Sequence, residues 1–169
     1  MFAFLPGLFT GLSLIIAIGA QNAFVIRQGL TKRYVFTVVA ICSIIDASLI
    51  ALGIGGLGAA IASLPWLLEV IRWFGVAYLT WFGIKSLISA TKNQTMDAAG
   101  VESKSAGKVI TTVLAMSLLN PHVYLDTVIF VGGVGNTFGD NRWFFAYGAM
   151  LASLVWFTSI GYGAKAASR

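Results

Sequence analysis

The feature that most constrains this chain is a succession of long apolar runs without charge. Phe2 to Ile26 contains no Asp, Glu, Lys or Arg, and Tyr34 to about Ala62 is interrupted only by Asp46. A bilayer core about 30 Å thick is crossed by about 20 apolar helical residues. Inside it every backbone N–H and C=O must be satisfied within the segment, which for single runs of this kind leaves the α-helix. Charged residues make up 10% of the 169 and hydrophobic residues 58%. Soluble domains run at about 25% and about 45–50%, so this chain has too few charges to solvate its own surface. The reading is an all-α membrane protein, a polytopic helical bundle of about five spans forming a single transmembrane domain over 1–169.

The spans are expected near 2–26, 34–62, 65–88, 109–134 and 143–164. Ser63 and Pro65 have the character of a helix start, cap then first turn, and Glu69 and Arg72 stand at i and i+3. From 90 to 108 the sequence turns polar and reads as a solvated linker that divides the chain into two halves. Arg27, Lys32 and Arg33 follow the first run, Lys85, Lys92, Lys104 and Lys108 flank or occupy the linker, and Lys165 and Arg169 follow the fifth run. Nine of the eleven basic residues thus fall on one side, against Arg72 and Arg142 on the other. The positive-inside rule places that side in the cytoplasm and the N-terminus outside. It also explains the net charge of +5 better than a nucleic-acid partner does, since the charges are dispersed between spans. No Lys or Arg precedes the first run, which is too long for the core of a signal peptide, so it reads as a membrane helix.

The halves correspond. Gly19-Ala20-Gln21-Asn22 interrupts the first span and Asn120-Pro121-His122 interrupts the fourth, a pattern of inverted-repeat transporters, whose unwound segments meet near the midplane. The expected arrangement is an inverted repeat of three spans plus an incomplete second three. Asp46 has at least a dozen uncharged residues on either side, and a carboxylate at that depth costs about 2.5–3.5 kcal/mol on insertion scales. Such a group either carries function or pairs with a neighbouring helix. Asp126 and His122 are four apart on one helix face and have the chemistry of a proton relay, because imidazole titrates near neutrality. They are also metal-ligand types, but two groups on one helix do not close a site and the chain has no other His. Gln21 and Asn22 offer amides to a ligand or hold helices together. Pro121 removes a donor, and the broken turn must find other partners.

Other motifs read as structure. Gly-Ile-Gly-Gly-Leu-Gly at 53–58 matches a dinucleotide fingerprint, but it ends a membrane span rather than joining a strand to a helix. Close packing or a flexible turn fits it better. Gly7 with Gly11, Gly55 with Ala59 and Gly148 with Ala152 are small-residue pairs suited to helix contacts, within one chain or between copies. Cys42 is alone and reads as a small buried apolar residue. The Asn93 glycosylation sequon falls in the linker, on the cytoplasmic side. Trp66, Trp73, Trp81 and Trp143 stand near span ends as an aromatic belt would, while Trp156 lies inside the fifth span. No nucleophile, base and oxyanion set can be assembled, so the chain does not read as an enzyme.

Two stretches carry a resemblance. Gly19-Ala20-Gln21-Asn22-Ala23-Phe24-Val25-Ile26-Arg27-Gln28-Gly29 resembles the first-span motif of the lysine exporter (LysE) family of bacterial amino-acid exporters. Asn120-Pro121-His122-Val123-Tyr124-Leu125-Asp126 resembles its fourth-span motif, closest to the lysine and arginine exporter branch. Asp46 and the run Gly75 to Gly83, with Tyr78 and Trp81, are similar in position and type. The family usually has Pro where this chain has Ala20, and a sixth hydrophobic segment beyond the point where this chain ends at Arg169. The resemblance implies a multi-pass protein of the bacterial inner membrane that exports L-lysine or L-arginine. Transport would proceed by alternating access, driven by protons or the membrane potential, without cofactor or metal. Its expected pathway residues are Gln21, Asn22, Asp46, Asn120, Pro121, His122, Tyr124 and Asp126. One carboxylate would pair with the substrate cation, and the other, with His122, would carry a coupling proton. Gln21, Asn22, Asn120 and Tyr124 would hold the α-amino and carboxyl groups. A truncated or non-transporting membrane scaffold and a divalent-cation permease are the alternatives, separable by protection against toxic basic amino-acid analogues and by metal-dependent toxicity.

Overall fold

The computed structural model describes residues 2–16, 19–57 and 105–168, with single positions between 63 and 84. The expected span at 65–88, the second span beyond residue 57, the linker as far as residue 104 and the pair Glu69–Arg72 fall wholly or largely outside the described residues. So do Tyr78, Trp81, Asn93 and Arg169.

Among the described residues every regular element is helical. In chain order they are α1 (Phe4–Ile15), α2 (Ala20–Leu30), α3 (Val35–Leu52) with a π-helical turn (Gly53–Leu57), α4 (Ala106–Leu118), α5 (Pro121–Val123), a π-helical stretch (Tyr124–Val131), α6 (Gly132–Asn136), a 3₁₀ turn (Gly139–Asn141) and α7 (Arg142–Ala167). Val35–Gly56 and Gly139–Ala167 are long and apolar enough to cross a membrane, at 22 and 29 residues, or about 33 and 44 Å at 1.5 Å per residue. The first apolar run is not one straight helix. It breaks into α1 and α2, whose axes differ by 85°. The fourth run breaks at Leu119 and Asn120, between α4 and α5. From α5 onward the dihedral angles stay helical through Val123, Val131 and Gly132 into α6.

The packing gives each element a direction. A Cβ on Gly7 would meet the Phe145 carbonyl, one on Gly148 would meet the Phe4 carbonyl, and one on Gly11 would come within 2.9 Å of the Ala152 Cβ. Farther along, Gly29 stands against Gly161 and lies 3.2 Å from the Lys165 nitrogen by the same measure. The broken pair α1–α2 therefore runs alongside α7 in the same direction. The expected small-residue pairs Gly7/Gly11 and Gly148/Ala152 meet each other within one chain. Among the described residues a Cβ on Gly55 would meet nothing within 4 Å, and its expected partner Ala59 is outside the described residues. In the glycine-rich stretch it is Gly53 that packs closely, 2.6 Å from the Val128 carbonyl by a built Cβ, while Gly56 turns the chain with φ 107°.

Two apolar cores result. One, formed by Phe24, Val25, Val35, Val38, Val39, Cys42, Val109, Val113 and Phe157, lies toward the end where α2 finishes with Arg27, Lys32 and Arg33 close by in sequence and where α4 begins near Lys108. The other gathers Ala3, Ile50, Ile54, Val131, Phe145, Ala146 and Ala149 at the opposite end. The segment α4 to α6 starts in the first core at Val109 and finishes beside the second, where Asn136 Nδ2 donates to the Gly53 carbonyl at 3.4 Å. It thus runs from one end of the bundle to the other, opposite to α1–α2. The two broken segments are inverted with respect to each other, as the correspondence of the two halves predicts.

Candidate functional site

Between the two cores lies a polar layer, and in it a cavity of about 340 Å³, within the roughly 300–1,000 Å³ of small-molecule sites. Both chain breaks open onto it. Each break leaves the last carbonyls of one half-helix and the first amides of the next without intrahelical partners, and in a membrane those groups need partners from elsewhere.

The two breaks solve this with one device, a side chain just beyond the break reaching back across it. Asn22 Nδ2 donates to the Ile15 carbonyl at the end of α1 at 3.0 Å. The Tyr124 hydroxyl donates to the Leu118 carbonyl at the end of α4 at 2.8 Å. Asn22 is further engaged, accepting from Trp156 Nε1 at 3.4 Å, which accounts for a Trp inside the fifth apolar run. On the other side of the second break, Asn120 caps α5, its Oδ1 accepting from the His122 N–H at 3.1 Å. Pro121 follows at the first helical position, where its missing N–H is no loss. At the first break Gly19 is extended (φ −106°, ψ −177°), and the first bond of α2 runs from the Ala23 N–H to the Gly19 carbonyl at 3.1 Å. The amides of Ala20 and Gln21 precede it and have no acceptor within α2, and both residues line the cavity. The break forms with Ala at position 20, so Pro is not required there.

The carboxylates stand on different helices. Asp46, in the middle of α3, is 5% exposed and lines the cavity. Ser153 of α7 donates its hydroxyl to Asp46 Oδ2 at 2.8 Å, and among the described residues no Lys or Arg pairs with it. Asp126 lines the same cavity from the π-helical stretch, a rare geometry concentrated at functional sites. As their spacing predicts, His122 and Asp126 meet, Nδ1 to Oδ2 at 2.7 Å, with the imidazole 68% exposed and the carboxylate 28%. No group of three or more His, Cys, Asp or Glu converges among the described residues.

Of the eight expected pathway residues, Gln21, Asn22, Asp46, Asn120, His122 and Asp126 border one cavity. Pro121 opens α5, and Tyr124, whose hydroxyl is committed to the backbone of α4, is not among the residues that border it. Among the described residues no acceptor meets the buried Gln21 Nε2, which lines the cavity as a donor available to a ligand. Ser153, Thr127 and Trp156 are additions that sequence reasoning missed. A hydroxyl or indole in an apolar helix is ordinary: the partner across the bundle marks Ser153 and Trp156, and the cavity wall marks Thr127, whose hydroxyl stays on its own helix.

The match to the LysE type translocator model covers residues 12–169. A putative amino-acid transporter YggA of Aeromonas salmonicida is 44% identical over 97% of this chain and 81% of its own length. An arginine exporter protein ArgO of Pectobacterium carotovorum is 42% identical over 95% of this chain and 80% of its own. A lysine exporter LysE of Corynebacterium efficiens is 36% identical over 98% of this chain and 86% of its own. No solved structure matches. With both broken motifs inside the matched region and relatives aligned over nearly its whole length, this helical membrane protein belongs to the LysE type translocator family.

Proposed function

We propose that the chain exports amino acids, and in particular the basic ones, L-lysine and L-arginine, across the bacterial inner membrane by alternating access. The observation that carries this reading is Asp46, a buried carboxylate with a single hydroxyl partner and no cation among the described residues, facing a cavity of amino-acid size. A lone charge in a membrane interior is costly, and a cationic ligand offsets that cost. The opposite end of an amino acid is an anion, and the start of α2 supplies amide N–H groups and the positive end of a helix dipole for it. The names of the relatives, lysine exporter and arginine exporter, point the same way.

In this scheme Asp46 receives the side-chain cation. The first amides of α2, with Gln21 and Asn120, receive the α-carboxylate and α-amino group. His122 and Asp126, hydrogen-bonded at the rim, carry a coupling proton, with the membrane potential as additional drive. Asn22 and Tyr124, given their bonds across the breaks, shape the site rather than touch the ligand. Assembly of copies is part of the proposal only through the small-residue surfaces not used within the chain.

The test is efflux of labelled arginine and lysine from preloaded, exporter-deficient cells making the chain or its Asp46→Asn variant. Asn keeps an acceptor for Ser153, so the substitution removes charge and little else. Two unit charges about 4 Å apart at an effective dielectric near 20 attract by about 4 kcal/mol, close to a thousandfold in affinity. Desolvation of the ligand cation takes part of this, so we expect at least a hundredfold weaker transport. Equal efflux from both forms overturns the charge-pairing scheme, and absence of efflux from both, with protein in the membrane, overturns export.

A further inference from the structure

Ser153 departs from a habit shared by several hydroxyls in this bundle. Ser48, Thr111, Thr112 and Thr127 each donate to the carbonyl four residues earlier on their own helix, the usual local solution for a hydroxyl in an apolar helix. Ser153 forgoes that bond. Its hydroxyl crosses from α7 to α3 and donates to Asp46 Oδ2 at 2.8 Å, between residues 107 apart in sequence. It is 3% exposed. Along α7 the cavity-lining residues are Ala149, Ser153 and Phe157, one per turn, and Ser153 is the polar member of that stripe.

The consequence is chemical. A free carboxylate presents two oxygens in the fork geometry that a guanidinium matches with two parallel N–H···O bonds, whereas an ammonium needs one point of attachment. With one lone pair of Oδ2 taken by the Ser153 hydroxyl, Oδ1 keeps both of its own, and a ligand meets two unequal oxygens rather than an open symmetric fork.

We infer that Ser153 is a specificity-determining positioning residue: by bonding Asp46 Oδ2 from α7 it weakens that oxygen as an acceptor and biases the buried carboxylate toward one-point attachment at Oδ1, so that the cavity favours a primary ammonium over a guanidinium. This rests on the export reading above and narrows its substrate class to lysine-type side chains ahead of arginine. Loss of the hydroxyl frees the second oxygen and restores the fork.

The experiment is competitive efflux from cells preloaded with equal labelled lysine and arginine, for the unaltered chain, Ser153→Ala and Ser153→Cys, with membrane protein quantified in each. The unaltered chain exports lysine in preference. Ser153→Ala moves the lysine-to-arginine ratio toward arginine by about tenfold, about the worth of one hydrogen bond to a charged group. Ser153→Cys, similar in size and a weak donor, falls between and serves as the readout if the Ala variant fails to accumulate. An unchanged ratio in both variants, with export intact, overturns the inference and leaves export standing. So does preference of the unaltered chain for arginine. An unaltered chain that moves neither amino acid refutes the export reading itself, a result distinct from either.

Discussion

Replacing Asn22 by Ala removes the tie across the first break and separates two roles that an amide at this place can have. Asn22 is 5% exposed. Its Nδ2 bond to the Ile15 carbonyl, at 3.0 Å, is of full strength by geometry, while the bond from Trp156 Nε1, at 3.4 Å, is long. An orphaned buried polar group costs about 1–3 kcal/mol, and the Ile15 carbonyl becomes one. Ile15 borders the cavity, so water reaches that carbonyl in part and the lower half of the range applies to it. The indole N–H adds a fraction more, giving a total of about 2 kcal/mol. For a chain of this size about 2–4 °C of melting temperature accompanies each kcal/mol, so Asn22→Ala should melt about 4–8 °C lower in detergent, followed by loss of the monodisperse peak on size exclusion. The apparent KM for efflux at low temperature should stay within about threefold. A tenfold or greater rise in KM with an unchanged melting temperature would refute the reasoning and make Asn22 a ligand-holding group.

Tyr124→Phe deletes the matching tie at the second break. It should cost about 0.6–1.5 kcal/mol, the range for one hydrogen bond within a membrane bundle or a protein interior, again with little change in KM. Gly148→Ala places a methyl against the Phe4 carbonyl and 2.8 Å from the Leu8 nitrogen, backbone atoms that move only if α1 and α7 part. A loss of about 1–3 kcal/mol is expected, visible as lower melting temperature. Gly163→Ala in the same helix meets nothing within 4 Å and should gain about 0.5–1 kcal/mol, a control run by the same melting assay. Ala20→Pro fits the first position of α2 after an extended Gly19 and should raise the melting temperature, a gain of about 0.4–1 kcal/mol, while weakening efflux through loss of the Ala20 N–H.

What the sequence reveals here follows from how strongly each feature violates its surroundings. A single Asp among uncharged residues and an Asn-Pro inside an apolar run are both expensive, so Asp46 and the second break stand out before any coordinates. The first break was legible from Gly19, Gln21 and Asn22, although not the size of its bend. Ser153 and Trp156 were not legible, because a Ser or a Trp costs little in a membrane helix and becomes informative only through a partner more than a hundred residues away. The tie made by Tyr124 is hidden in the sequence for a related reason. Its place next to His122 and Asp126 in the motif suggests the same duty, yet a hydroxyl near a broken helix end is captured by the nearest orphan carbonyl.

The alignment of α1–α2 with α7 has a consequence for biogenesis. Gly7 and Phe145, which touch through backbone, are separated by about 140 residues, and at a synthesis rate of about 5–20 residues per second the first pair waits roughly 7 to 28 s for its partner. During that interval the glycine face of α1 has no Phe145 or Gly148 to close on, and Asn22 can bond Ile15 but not Trp156. The nascent first segment is thus held by its own back-capping side chain until the distant helix emerges. Variants at Asn22 should therefore expose the chain to membrane quality-control proteases during synthesis more than they weaken it once folded.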